Sequence, residues 1–172
     1  NYLRGVPVWA TLIALEVDGR IVASVVSAPA LQRRWWASEG GGAFTGRSIL
    51  NATELRVSRV EEIEDASLSY SSISGWVDSG KGQGFINLMR DCWRTGAYGD
   101  VWSYRLLAEG AVDIATEPEL ALWDMAALDI IVREAGGRFT SLEGVDGVSG
   151  PGALATNSRL HDKAQSYLAD QA

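Results

Sequence analysis

The chain has 172 residues, 47% of them hydrophobic, and a mean hydropathy near zero, so it can bury a sizeable core in one domain or two small ones. Its net charge of −7, with no basic cluster longer than Arg33-Arg34, excludes the basic stripe that nucleic-acid binding requires. No apolar run approaches the roughly 20 residues of a membrane span, and the single cysteine, Cys92, excludes an internal disulfide framework and suits a reducing cytoplasm.

Residues 6–17 form a continuous apolar run, followed by Asp18-Gly19 and a second β-rich run over 21–28. Two such runs joined by Asp-Gly predict a hairpin, because glycine supplies the positive φ of a tight turn. Pro29 ends the second strand. A third is expected over 32–38, and Gly40-Gly41-Gly42 turns the chain into Ala43-Phe44. With a short strand at 55–58 and a helical turn over 59–63, the first sixty residues read as an antiparallel meander.

The pattern changes near Asp65. A strand over 66–70 precedes a Ser- and Gly-rich loop over 71–84, then a helix over 85–92 with Phe85, Leu88, Met89 and Cys92 on one face. Asp100 is positioned to cap a helix over 101–109, which Gly110 closes. A strand over 112–116 is broken by Glu117-Pro118. Asp124 then stands in front of an apolar helix that Gly136-Gly137 terminates. Strands over 138–140 and 153–156 flank a glycine-rich loop at 144–152, and Asn157 or Ser158 caps a last helix from His161 to about Leu168. Alternating helices and strands predict a layered α/β unit. The expected division is therefore an antiparallel part over 1–64 and an α/β part over 65–172.

Nucleophilic catalysis finds little support. The single histidine, His161, falls in the first turn of a predicted surface helix, where solvation is the expectation, and no G-x-S-x-G elbow or phosphate-cradling loop is present. What remains is carboxylates at element ends: Asp100, Glu117 and Asp124. Each taken alone reads equally as a cap or a solvated charge. Asp124 in particular is either a helix N-cap or a metal ligand. Three carboxylates around one strand end and two helix N-termini would make an oxygen-rich mouth suited to a hard cation such as Mg²⁺.

Several motifs carry a resemblance. Trp123-Asp124-x-Ala126-Ala127 followed by Ile131-Val132-x-Glu134-Ala135-Gly136-Gly137 resembles the C-terminal signature of the inositol monophosphatase family. Gly42-Ala43-Phe44 is similar to the family's G-x-G-A-F turn. Asn1-Tyr2, Gly5 and Pro7-Val8 look like the segment that follows its D-P-[IL]-D-G-T metal motif. The resemblance implies the family's α/β fold, an α+β layered sandwich in which an antiparallel meander precedes a smaller α/β sheet. It also implies hydrolysis of a small-molecule phosphate ester by a water activated by two or three Mg²⁺ ions, with Asp124 as a ligand to one of them. Homodimers are the usual assembly, and neither nucleic acid nor membrane is an implied partner.

The departures are as informative. The family's remaining metal ligands lie in an upstream Gly-Glu-Glu segment and in the D-P-x-D-G-T motif, and neither occurs here. The expectation is a C-terminal two-thirds that lacks its N-terminal partner segment and is inactive alone. On the substrate side, the resemblance gives Asp100 in place of a small residue and Glu117 at the position that contacts the non-phosphate end. Two carboxylates there suit a cationic alcohol better than a neutral polyol. This pattern, with Arg33-Arg34-Trp35-Trp36-Ala37, is similar to actinobacterial family members that act on histidinol phosphate. Tyr98 could stack on an imidazole or simply pack. Arg94 lies beside Thr95, where the family's substrate-side arginine would fall. The alternatives are an inositol monophosphatase or broad phosphomonoesterase, and, in another class, a non-catalytic fragment acting through protein contacts.

Overall fold

A computed structural model describes residues 1–169, with the Asp100 side chain excluded. The chain forms two five-stranded sheets with helices between and beyond them. The first sheet runs β1 (Thr11–Val17), β2 (Arg20–Ala28), β3 (Arg33–Ser38), β4 (Gly42–Gly46) and β5 (Thr53–Glu54), in sequence order and antiparallel throughout. At the first turn Asp18 has φ 50° and Gly19 φ 76°, so the hairpin closes as Asp-Gly predicts.

The second sheet contains β6 (Ser67–Ser69), β7 (Arg94–Gly96), β8 (Ile114–Glu117), β9 (Arg138–Thr140) and β10 (Ala153–Thr156), in the order β7-β6-β8-β10-β9. β6 lies parallel to both β7 and β8, while β10 runs antiparallel to β8 and β9. Helices α1 (Ile73–Asp78), α2 (Gly82–Asp91) and α5 (His161–Leu168) belong to one side of this sheet. Their Trp76, Phe85, Leu88, Ala164 and Leu168 bury against Leu68, Ile114 and Leu154.

Helices α3 (Asp100–Ala108) and α4 (Leu122–Glu134) fill the space between the sheets. One continuous core joins Val26, Trp35 and Ala43 of the first sheet to Tyr104, Leu107 and the 125–132 run of α4. It extends to Ala115, Phe139 and Ala155 of the second sheet. Every α4 residue from Met125 to Val132 is buried, which follows from the helix being covered on several sides rather than along one stripe.

The structure corrects several local expectations. The apolar run over 6–17 pairs only from Thr11, because Pro7 lacks an N–H and the Asn1 side chain holds the Val8 carbonyl at 2.9 Å. The loop expected over 71–84 contains α1 and the start of α2. Trp76 stacks on Phe85 with ring centroids 4.3 Å apart, and that burial overrides the helix-averse serines and glycines. The strand expected over 55–58 leaves the sheet, the Val57 amide turning to the Ala135 carbonyl at the end of α4.

Asp124 is not an N-cap. Helix α4 begins at Leu122 after Ala121, which places Asp124 third in the helix. The helix that Asp100 was expected to cap is preceded instead by Gly99, whose φ of 73° brings the turn within 3.1 Å of Ser71 Oγ for any added Cβ.

His161 is the largest correction. It is 2% exposed, not solvated, and its ring nitrogens lie 3.0 Å from Thr140 Oγ1 and 3.0 Å from Thr156 Oγ1. Burial, then the nearby Arg138 cation, pushes its pKa down to about 4, so the ring is neutral at pH 7. A depressed folded-state pKa gives stability that is fully present above the unfolded value of about 6.5 and is lost as pH falls toward 4. Thermal melts between pH 7 and pH 4.5 should show a falling Tm, and His161→Gln should flatten that slope while lowering stability at pH 7. An unchanged slope in the variant would assign the acid lability to other groups.

Candidate active site

Two helix N-termini open onto one cavity of about 320 Å³. Val101 lies in the first turn of α3 and Asp124 in the first turn of α4, and both line it with Tyr104, Leu120 and Leu128. The chain start closes the other side through Asn1, Tyr2, Val8 and Trp9, with Tyr2 and Trp9 edge to face at 4.9 Å. The dipoles of the two helices that start at this cavity favour an anion there. Asp124 is exposed and carries the carboxylate of the cavity wall.

The helix supplying Asp124 is held at both ends. Its first turn closes through the Asp124 amide to the Ala121 carbonyl at 2.9 Å. In its middle, Ser24 Oγ of β2 donates to the Ala127 carbonyl at 2.8 Å. At its end, the Glu134 carboxylate accepts the Gly40 and Gly42 amides, each at 2.9 Å. Gly136 then leaves the helix at φ 90°.

Glu117 ends β8 behind the cavity. It is only 4% exposed and accepts a 2.6 Å hydrogen bond from Ser71 Oγ, so it enters the site's electrostatics rather than its open surface. Tyr104 connects the two. Its ring lines the cavity, and burial, then the Glu117 charge, pushes its phenol pKa well above the ordinary value. The Tyr104 hydroxyl is buried with no hydrogen-bond partner among the described residues.

The other expected site residues divide. Tyr98 is 49% exposed and folds back over Gly96, where an added Cβ would fall 2.6 Å from its ring. Arg94 starts β7 level with Ser67, whereas Glu117 lies two residues past the Ser69–Ala115 pair. Strand rise puts those two positions roughly 13 Å apart along the sheet. The structure thus places Asp124 on the cavity wall and Glu117 close enough to the cavity-lining Tyr104 to act on its phenol, and leaves Arg94 at the far end of its strand. The Asp100 side chain lies outside the described residues; its backbone opens α3. Tyr104 and Ser71 escaped the sequence reading, because an apolar-face tyrosine and a loop serine carry no motif of their own.

The inositol monophosphatase family profile matches residues 1–171. This chain belongs to that family. It is 58% identical over 172 residues to a histidinol-phosphatase of Streptomyces coelicolor, covering 98% of this chain and 65% of the relative. It is likewise 58% identical over 168 residues to a histidinol-phosphatase of Mycobacterium tuberculosis, again covering 98% and 65%. The fold matches an extragenic suppressor protein from Bartonella henselae with a TM-score of 0.87 at 30% identity, covering 100% of this chain and 66% of that one. The chain therefore spans about 65% of the length of the curated relatives it matches.

That span bears on metal binding. Mg²⁺ demands near-octahedral oxygen coordination, with carboxylates supplemented by waters and substrate phosphate. Among the described residues, no three His, Cys, Asp or Glu side chains converge on one point. The Asp124 carboxylate alone does not make a complete Mg²⁺ site. No described helix is long and apolar enough to cross a membrane.

The solitary Tyr104 hydroxyl gives a direct test of how self-contained this corner is. A buried, unsatisfied hydroxyl costs about 1–3 kcal/mol, so Tyr104→Phe in the 172-residue chain should hold or raise the urea midpoint. A loss above about 1 kcal/mol would show that the hydroxyl has a donor role.

Proposed function

We propose that the protein carrying this chain hydrolyses phosphate monoesters with Mg²⁺, and that its substrate is histidinol phosphate, released as L-histidinol and phosphate in histidine biosynthesis. The observation carrying this reading is 58% identity to two histidinol-phosphatases across nearly the whole chain, with Asp124 opening into the cavity between two helix starts. In this reading Asp124 supplies one oxygen to a cation. The other ligands come from the third of the relatives' length that these 172 residues do not span. The helix termini receive the phosphate, and the negative corner at Glu117, with Asp100 at the head of α3, favours a cationic alcohol. Arg94 and Tyr98 contribute less directly, Arg94 by long-range charge and Tyr98 by covering the strand end. A homodimer in the cytoplasm completes the proposal.

Asp124→Asn in the intact protein should lower turnover by orders of magnitude while leaving the melting temperature within a few degrees. Because Asp124 is not the cap, retained activity would remove it from the metal site. With Mg²⁺ present, phosphate release from histidinol phosphate should exceed that from inositol 1-phosphate, and the reverse preference would overturn the substrate assignment. For Asp100→Ala, KM for histidinol phosphate should rise while a small generic ester is little affected. Equal losses on both would make Asp100 structural.

A further inference from the structure

A second cleft, of about 300 Å³, is lined by Ser27, Pro29, Gln32, Arg33, Arg34 and Arg47. None of these residues lines the cavity beside Asp124. Three guanidinium groups around one cleft are unexpected in a chain of net charge −7. Their partners sharpen the point. Arg33 shares the Glu109 carboxylate, at 3.0 Å, with Arg105, which takes the other oxygen at 2.8 Å. Trp35 Nε1 donates to the same carboxylate at 2.7 Å. One negative charge thus serves two arginines and is fully engaged.

Arg34 and Arg47 have no carboxylate partner among the described residues. Arg34 donates to the Arg47 carbonyl at 3.2 Å, and Arg47 donates to Gln32 Oε1 at 3.0 Å. Both acceptors are neutral. They orient the guanidinium groups without compensating their charge. Gln32 does so from a left-handed backbone, φ 53° and ψ 37°, with its amide bonded to the Pro29 carbonyl at 3.0 Å. A non-glycine residue in that conformation stores strain of a kind that clusters at ligand clamps.

We propose that this cleft is a binding site for a small phosphate-bearing anion, of the size of inorganic phosphate, pyrophosphate or a compact phosphate ester. A phosphate offers several acceptor oxygens and up to two negative charges, so it can take guanidinium forks from more than one arginine. A carboxylate satisfies only one fork. The cleft volume suits a small molecule rather than an extended polymer. The site is independent of the hydrolytic reading, because it uses none of the residues assigned to it.

Calorimetric titration of inorganic phosphate and of pyrophosphate into the intact protein tests the proposal, with EDTA present to remove metal-dependent binding and chloride holding ionic strength constant. The expected result is saturable binding that Arg34→Ala and Arg47→Ala each weaken at least about tenfold. The lysine variants should fall between, since an ammonium keeps the charge and loses the fork. Arg56→Ala, which removes an exposed arginine paired with Glu54, should bind as the parent does. No saturation up to about 10 mM phosphate would overturn the proposal. So would unchanged binding in an Arg34/Arg47 double alanine variant, or equal weakening by Arg56→Ala.

Discussion

Everything in this fold depends on α4 being shared between two sheets. A helix covered on several sides cannot be amphipathic, and the buried run from Met125 to Val132 is the sequence consequence. The cost of that burial is that each polar group on the helix needs a partner supplied by the surroundings. Asp129 is 2% exposed and takes a bidentate ion pair from Arg133 one turn on, at 2.9 and 2.8 Å. Arg133 also reaches the Ile21 carbonyl at 3.2 Å, tying the helix to β2. Only the two ends of α4 are left for chemistry and for turns. The first turn presents Asp124; the last holds Gly40 and Gly42.

The same architecture explains which parts of the molecule could be read from residues alone. The Asp18-Gly19 turn, the antiparallel order of the first sheet and the glycine stop after α4 follow from local geometry, which a sequence states directly. Helix α1 and the first turn of α2 were illegible because their stability comes from the Trp76–Phe85 stack and the neighbouring sheet, not from their own propensity. His161 misled for a related reason. Its position in a first turn suggests solvent, but two threonines from different strands form its cage, and one of them, Thr140, lies 21 residues away in sequence.

The candidate site residues stood out in the sequence as a motif, while the geometry around them did not. The Trp-Asp-x-Ala-Ala run singled out Asp124, which lines the cavity, although two helical residues separate it from the observed cap, Ala121. Glu117 was found as a strand-end carboxylate, while its burial against Ser71 depends on a contact across 46 residues that no periodicity encodes. Arg94 shows the converse failure. Its place beside an expected arginine position said nothing about which end of β7 it would occupy.

The latch formed by Glu134 on Gly40 and Gly42 also bears on the order in which the molecule can be assembled. Its partners are separated by 94 and 92 residues, so it forms only after most of the chain exists. During synthesis the β3–β4 hairpin can pair early, since its contacts are local. Its glycine turn nevertheless stays unanchored until α4 has been made, so the two sheets should reach their final state together. The first sheet would meanwhile be a paired but unbacked surface, with the buried side of Trp35 and Ala43 open to water until that helix arrives.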